Sequence, residues 1–356
     1  MRDVACALGV HPSTISLALR GHASIPEATR ERVVREAAAL GYAPDPVLGA
    51  LARYRRAMRP APITAELAWV NRWVPSERLY ARREFSLYWS GARQAALDLG
   101  YRLERFDIGE APLSTLARML RARSIAGVLI PPHHGACNDW SALDCSGLAV
   151  VRIGHSVALP AHAVGCDQVG AAMLGLQRIV ERGYTRVGFV TTLASEMSTR
   201  FRAGFLFARD GVAGLERLPA LTLLEDSTRA TERALARWLE QNRPDVVFTS
   251  HAEVPGTLRK LGLRVPADLG LVVTSVLDGE CDTGIDQRAA EIGRAGVELL
   301  DSLLSRGQLG LPEFPRMLTV SAAWCDGTSL PPRDAQLEEW RTPCAEAGVG
   351  PNLFKP

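Results

Sequence analysis

The first forty residues have the periodicity of short helices. Apolar residues recur three and four positions apart in three stretches, each followed by a glycine. The pattern predicts helices over residues 2–8, 12–19 and 26–40. Gly9 permits the positive φ of a tight turn after the first helix, and Gly41 ends the third. This part of the chain is therefore predicted to be a small all-α head.

From Glu66 onward, apolar runs alternate with amphipathic stretches. The predicted strands are 67–71, 102–106, 127–130, 150–153, 187–190, 220–224, 246–249 and 271–274. The predicted helices include 88–99, 113–122, 169–182, 228–241 and 291–305. Apolar strands separated by helices are typical of parallel sheets that are covered on both faces. A pattern of about 250 residues predicts one large α/β lobe or two medium ones.

Charge is distributed unevenly along the chain, although the net charge is only +2. Residues 1–60 contain nine arginines and five acidic residues, so they carry a net charge of +4 and the rest of the chain sums to −2. A basic head on a slightly acidic body suits a polyanionic partner at one end of the molecule. Charge alone would also fit a chance fluctuation.

The composition favours a cytoplasmic protein. Apolar residues make up 47% and charged residues 22%, which is ordinary for a globular domain. No run is long and apolar enough to span a membrane, and the start, MRDVACALGV, lacks the apolar core and cleavage site of a secretory signal. The seven cysteines are scattered singly, which indicates reduced thiols. We therefore expect no membrane partner.

Residues 2–19 have the spacing of a helix-turn-helix. The positions expected to be buried are all apolar: Val4, Ala5, Leu8, Val10, Ile15 and Ala18. The second helix, which lies in the DNA major groove in this motif, keeps Pro12, Ser13, Ser16 and Leu17 on its outer face. Three packed helices without a ligand would explain the apolar pattern alone, but the turn glycine and the basic charge favour DNA.

Longer segments resemble one family. DVACALGVHPSTISLALRG and TRERVVREAAALGYAPDP resemble the DNA-binding head of the lactose/galactose repressor family, and RIVERGYTRVGFV, LRKLGLRVPADLGLVV and GIDQRAAEIGRAGVELL resemble its later segments. The resemblance implies a small all-α helix-turn-helix head plus an α/β effector domain of two periplasmic-binding-protein-like lobes with parallel sheets. It also implies a homodimeric repressor that binds double-stranded operator DNA under the control of a small-molecule effector, such as a sugar or a related metabolite.

The same resemblance implies domain boundaries and DNA contacts. The expected domains are the head at 1–43, a hinge helix and linker at 44–62, the two-lobed effector and dimerisation domain at 63–327, and a tail at 328–356. The expected DNA-binding residues are His11, Pro12, Ser13, Thr14, Ser16, Leu17, Arg20, Thr29, Tyr42, Leu51 and Ala52. At a base-reading position, Leu17 can offer a methyl contact to thymine but no arginine–guanine pairing. His11 stands where a capping serine is usual.

Residues 47–52 resemble the hinge helix, with Leu51 at the position that wedges into the minor groove. Paired leucines from two subunits would unstack a central base step and kink the DNA. The alternative is a helix that packs Leu48 and Leu51 on its own domain. Gly49 weakens the isolated helix by about 1 kcal/mol, which favours order only on DNA.

Effector contacts are expected beyond the carboxyl ends of the strands. This rule and the resemblance nominate Asn71, Trp73, His133, Arg200, Arg202, His251 and Asp278. Trp73 could stack on a sugar ring, and arginine or aspartate side chains could grip hydroxyls. His155, after an apolar strand, is expected to line the cleft or to cap a helix. For each residue alone, a surface loop or a structural ion pair explains the pattern equally well.

No enzyme motif is found: G-x-S-x-G, a Walker A loop, G-x-G-x-x-G and H-E-x-x-H are all missing from the sequence. His133, His134 and Cys137 could hold a metal, but adjacent histidines point apart and further ligands are missing, which favours a surface loop. We expect no catalysis, no cofactor and no metal. The main alternative is the solute-binding protein of a transporter, which would need a signal peptide and no DNA head. An α/β enzyme is a third possibility.

The first predicted helix begins directly after Met1 without an N-cap residue. The α-amino charge would also lie at the positive end of the helix dipole. We therefore expect the native start to lie upstream of Met1. The alternative is a short start with a frayed first turn.

Overall fold

The computed structural model of the chain describes residues 2–19, 25–41, 65–133, 139–192, 196–223, 228–278 and 280–333. The head consists of α1 (Arg2–Leu8), α2 (Pro12–Leu19) and α3 (Glu27–Ala39). These three helices close around a small apolar core that includes Val4, Ile15 and Val33. Gly9 has a φ of +64° in the turn after α1, which confirms the role expected of that glycine.

The N-terminal lobe is a parallel sheet covered by helices on both faces. Its strands are β1 (Ala65–Asn71), β2 (Tyr101–Asp107), β3 (Gly127–Ile130), β4 (Ala149–Ile153), β5 (His162–Cys166) and β11 (Met317–Val320). Its helices are α4 (Glu77–Ala81), α5 (Arg83–Asp98), α6 (Leu113–Ala122) and α11 (Ala289–Ser305). The strand order is β11-β5-β4-β3-β1-β2. Trp69 and Val70 of β1 enter different apolar cores on opposite faces, so both faces are buried.

The C-terminal lobe repeats this architecture. Its strands are β6 (Val187–Thr192), β7 (Leu221–Leu223), β8 (Val246–Thr249), β9 (Gly270–Val273), β10 (Gly284–Asp286) and β12 (Ala323–Cys325). Its helices are α7 (Gln168–Glu181), α8 (Glu196–Asp210), α9 (Thr228–Asn242) and α10 (Val254–Lys260). The strand order is β12-β10-β9-β8-β6-β7, and β12 runs antiparallel to β10 while the other pairs are parallel.

The chain crosses between the lobes three times, after β5, after β10 and after β11. At the first crossing Asp167 caps α7 by accepting a hydrogen bond of 3.0 Å from the Gly170 amide. At the second, the buried Gln287 donates from Nε2 to the Thr274 carbonyl at 3.0 Å. The two lobes are thus joined by short segments with fixed hydrogen bonds.

Helices α5 and α11 pack closely because glycines lie at their crossing. A Cβ on Gly91 would meet the Ala290 carbonyl oxygen at 1.9 Å, and a Cβ on Gly293 would meet the Tyr88 carbonyl oxygen at 2.0 Å. Both contacts are with backbone of the facing helix, which has little freedom to move. The crossing therefore fixes α5 against the N-terminal sheet.

The predicted two-lobed α/β architecture is confirmed, and most predicted elements match within two residues. Strands 127–130 and 246–249 and helix 113–122 match at both ends. Helix 88–99 begins earlier, since α5 starts at Arg83. The elements that the sequence pattern did not predict are β5, β10, β11, β12, α4 and α10. Most are short, and β10 is only three residues long, so they carry little periodicity.

Residues 328–333, expected in the tail, pack on the C-terminal lobe. Leu330 is buried, and the Arg333 guanidinium reaches the Asp245 carboxylate at 2.9 Å. The body therefore extends at least to Arg333. Among the described residues, no helix combines the length and apolarity needed to cross a membrane.

Gly91→Ala should destabilise the fold by about 2–3 kcal/mol, because the added methyl group cannot fit against the α11 backbone. Urea unfolding of the full chain measures the change. Gly256→Ala is the matched control, since a Cβ there has no neighbour closer than 3.8 Å, and its higher helix propensity should stabilise α10 by up to about 1 kcal/mol. Equal effects of the two substitutions would contradict the proposed crossing.

Candidate functional site

Helix α2 presents the outer face that a helix-turn-helix offers to DNA. Ile15 and Ala18 are buried against the other helices, while Thr14 and Leu17 are only half-buried. The His11 carbonyl accepts hydrogen bonds from the Thr14 and Ile15 amides at 2.9 and 3.4 Å, which starts the helix. The exposed face of α2 is therefore set by the packing of its inner face.

Other expected DNA contacts are described unevenly. His11 is exposed and Pro12 half-buried at the start of α2, and Thr29 is half-buried in the first turn of α3. Ser13 and Ser16 lie in α2, and the structure describes only their backbone. The expected contacts outside the described residues are Arg20, Tyr42, Leu51 and Ala52. On α3, Arg32 and Arg35 are exposed, which adds positive potential to the head.

The two lobes contact each other at two places beyond the carboxyl ends of their strands, and these contacts bound the expected effector cleft. One side of the cleft is bridged by Asp278, in the loop after β9. Its Oδ1 accepts from the Arg83 amide at 2.6 Å and, at 3.4 Å, from the Glu84 amide. Helix α5 has no capping side chain of its own, so the C-terminal lobe supplies the cap for a helix of the N-terminal lobe.

Asn71 and His133, both expected to touch the effector, instead hold the N-terminal lobe together. Both side chains are buried. Asn71 donates to the Asp107 carboxylate at 2.8 Å and accepts from the Trp73 amide at 2.9 Å. His133 accepts from the Arg72 amide through Nε2 at 2.8 Å and contacts the Pro131 carbonyl through Nδ1 at 2.7 Å. Their polar atoms are thereby used within the lobe, so we assign both residues a structural role.

Trp73 is half-buried at the cleft. Its Nε1 donates to the Pro132 carbonyl at 2.9 Å, and its ring centroid lies 6.3 Å from that of Phe85. This fixes the ring while leaving part of it accessible. In the other lobe, the His251 amide donates to Thr249 Oγ1 at 3.0 Å, which orders the loop after β8.

Arg200 and Arg202 leave α8 on either side of Phe201, which is fully buried. Arg200 donates from Nε and Nη2 to Glu196 Oε1 at 3.2 and 3.0 Å. Arg202 is half-buried, and its Nε has no hydrogen-bond acceptor among the described residues. Of these two candidate effector contacts, Arg200 belongs to a charged cluster with Arg152, His155 and Glu196.

That cluster joins the lobes on the second side of the cleft. His155 Nδ1, after β4, lies 3.6 Å from Glu196 Oε1 of α8. Arg152 of β4 is half-buried and donates to the carbonyls of Gly154 and Ala161 at 3.1 and 3.4 Å. Burial, and then the charge of Arg200, lower the pKa of His155. The sequence predicts that His155 lines the cleft or caps a helix. The structure places its side chain against Glu196 of the opposite lobe.

Glu84, beside the Asp278 cap, is a buried acid. Burial raises the pKa of its carboxyl to about 7; the hydrogen bond of 3.0 Å that the Tyr88 hydroxyl donates opposes this rise, and the charge of Asp278 adds to it. The pKa of Tyr88 is raised in turn, by burial and by Glu84. A buried carboxyl group with a pKa near neutrality therefore lies beside the Asp278 contact between the lobes.

Sequence reasoning did not nominate Arg152, Glu84 or Glu196. Arg152 was detectable as a lone cation inside an apolar strand, and a cation there must find partners. Glu84 and Glu196 occupy helix first turns, where acidic residues are common, so the sequence carried no signal for them.

Two family models match the chain. The model "Bacterial regulatory proteins, lacI family" matches residues 1–45, and the model "Periplasmic binding protein-like domain" matches residues 176–329. A curated relative, "HTH-type transcriptional regulator CelR" of Thermobifida fusca, is 26% identical over 286 residues, which cover 76% of this chain and 79% of the relative.

Solved structures share the fold. A "transcriptional regulator CelR-cellobiose complex" matches with a TM-score of 0.59 and 22% identity, over 92% of this chain and 98% of that one. The lac repressor dimer bound to operator and the anti-inducer ONPF matches with a TM-score of 0.55 and 19% identity, over the same shares of the two chains. Both likenesses support the arrangement of a helical head and two α/β lobes.

Glu84 should make stability depend on pH. Its pKa is about 7 in the folded protein, whereas the ordinary value for a glutamate is 4.5, so the folded protein binds the extra proton. This contribution, on the order of 3 kcal/mol, is complete below pH 4.5 and is lost as pH rises through 7. The free energy of unfolding of Glu84→Gln, minus that of the wild type, should therefore be more positive at pH 8 than at pH 5. Urea unfolding at the two pH values measures this difference. The exposed Glu298→Gln is the control; the same pH response in both variants would contradict the assignment.

Proposed function

Because the chain belongs to the LacI family of transcriptional regulators, we propose that it is a cytoplasmic repressor that binds operator DNA as a homodimer under the control of a small effector. The observation that carries this is the combination of one helix-turn-helix head with a two-lobed effector domain in a single chain. The proposed activity is regulation rather than catalysis.

The head reads DNA through α2 in this proposal. Thr14 and Ser16 contact phosphates, while Pro12, Ser13 and Leu17 face the bases. Leu17 is half-buried, and its side chain can contact a thymine methyl group. His11 and Arg20 flank the same helix, and the exposed Arg32 and Arg35 of α3 add sequence-independent attraction to the backbone.

Dimerisation follows from the size of the head. A single helix-turn-helix reads few base pairs, and two symmetric heads read inverted half-sites. The proposed boundaries are a head at 1–43 and a hinge with linker at 44–62, followed by the two lobes from residue 63. Leu51 would unstack the central base step between the half-sites when both subunits are bound.

The effector binds between the lobes in this proposal. Trp73, His251 and Asp278 follow the carboxyl ends of β1, β8 and β9, and Arg200 and Arg202 lie in the first half of α8. A sugar or a related metabolite is supported by the ligand named for the CelR complex, cellobiose, and by the partial exposure of Trp73. An effector can change operator affinity only if it prefers one arrangement of the lobes. The contacts of Asp278 and His155 across the cleft supply such an arrangement.

The alternative, a solute-binding protein of a transporter, does not account for the head. Such a protein needs the two lobes but no helix-turn-helix, and residues 1–45 match the lacI-family model. DNA binding by the purified chain separates the two functions directly.

We expect the full chain to select a near-palindromic site from fragmented genomic DNA and to bind it as a dimer. Leu17→Ala should weaken specific binding by about 1 kcal/mol, or about fivefold, because a methyl contact is lost. Non-specific binding and its salt dependence should not change, since no phosphate contact is removed. A gel-shift titration measures both.

Val34→Ala is the control for that titration, since Val34 is exposed on α3 rather than on α2. If Leu17→Ala and Val34→Ala bind alike, Leu17 does not read bases. If a monomer binds a single half-site with equal affinity, or if no site is selected at all, the proposed function is wrong.

A further inference from the structure

The charged cluster at the second side of the cleft holds more positive than negative groups. Arg152 and His155 come from the N-terminal lobe, and Glu196 and Arg200 from α8 of the C-terminal lobe. In the described part of the chain, Glu196 is the carboxylate that faces these three basic side chains. One carboxylate therefore balances two permanent cations and a histidine.

The single carboxylate does not satisfy both guanidinium groups. Arg200 contacts Glu196 with Nε and Nη2, whereas the hydrogen bonds of Arg152 go to the backbone carbonyls of Gly154 and Ala161. Burial lowers the pKa of Arg152; the charge of Glu196 opposes this shift, and the charge of Arg200 adds to it. Arg152 and Arg200 carry like charges at a partly buried place, so an anion bound near both would offset their mutual repulsion.

The groups around the cluster also suit an anion. Helix α8 begins at Glu196, so the positive end of its dipole lies beside the cluster. The buried Gln168 lies against His155 from the start of α7. The Arg200 and Glu196 side chains are each about half exposed, at 43% and 53%, so a ligand can reach them.

We propose that the effector of this regulator carries an anionic group, a carboxylate or a phosphate, which Arg152, His155 and Arg200 bind in the cleft. The proposal rests on the function proposed above and defines the chemical class of its effector. In the free protein Glu196 accepts hydrogen bonds from Arg200, and the incoming anion competes with Glu196 for this arginine. Contacts from both lobes to one anion also favour the arrangement in which the lobes are close.

Isothermal calorimetry and thermal unfolding of the full chain test this with probes of known charge. The probes are glucose 6-phosphate, glucuronate and inorganic phosphate, each compared with glucose and cellobiose at one ionic strength set by sodium chloride. At least one of the anionic sugars should bind about tenfold more tightly than either neutral sugar, since charge-assisted hydrogen bonds are stronger than neutral ones. Which of the two anionic sugars binds better distinguishes a phosphate from a carboxylate effector.

Substitutions at the cluster should change the affinity for the anionic probe in opposite directions. Arg200→Gln should weaken it about tenfold, and Arg152→Gln should do the same if the variant folds. Glu196→Gln should instead tighten it severalfold, because the competing carboxylate is removed. A misfolded variant cannot produce that gain. Arg178→Gln is the matched control, since Arg178 forms an exposed pair with Glu181 on α7.

The proposal is overturned if the anionic probes bind no better than the neutral sugars, or if Arg200→Gln and Glu196→Gln behave like Arg178→Gln. Operator binding by each variant, without any probe, is measured in parallel. If the wild type selects no operator but binds the anion through this cluster, the proposed function fails while the anion site stands. If the wild type selects an operator but does not bind the anions, the proposed function stands and the anion site is wrong.

Discussion

The first turn of α5 is capped by a carboxylate from the opposite lobe, and much of the cleft depends on this interaction. The Asp278 oxygens accept from the Arg83 and Glu84 amides, which no side chain near them in sequence satisfies. An uncapped helix start costs on the order of 1 kcal/mol. The cap therefore ties the stability of a helix in one lobe to the position of the other lobe.

The Asp278 cap affects the residues in the first turn of α5. Gly91 lets α5 pack directly on α11, so its first turn cannot shift freely. That turn holds Glu84 and Phe85, and Phe85 lies between the rings of Trp73 and Tyr88. A change in the distance between the lobes would alter the cap and the surroundings of Glu84 together. The contact between His155 and Glu196 on the other side of the cleft would also change with the distance between the lobes. A ligand that bridges the lobes thus acts on contacts that already exist.

The fold was largely predictable from the sequence, whereas the site was predictable only in part. Long amphipathic helices and apolar strands, such as 113–122 and 127–130, carry enough periodicity to be located. The family resemblance nominated Asp278 as an effector contact, which stays a prediction; its partners in the structure lie some 195 residues away in sequence, and no local pattern records such a pairing. The strand-end rule nominated Asn71 and His133, whose side chains point into the lobe, because it gives the end of a strand and not the direction of a side chain.

If contacts across the cleft are coupled to DNA binding by the head, Asp278→Ala should alter operator affinity. The operator affinity of this variant should be measured without effector at one salt concentration, beside Asp210→Ala, which removes an exposed carboxylate at the end of α8. Asp278→Ala should change the affinity by about fivefold or more, while Asp210→Ala should leave it unchanged. An operator affinity for Asp278→Ala equal to that of the wild type would contradict the coupling.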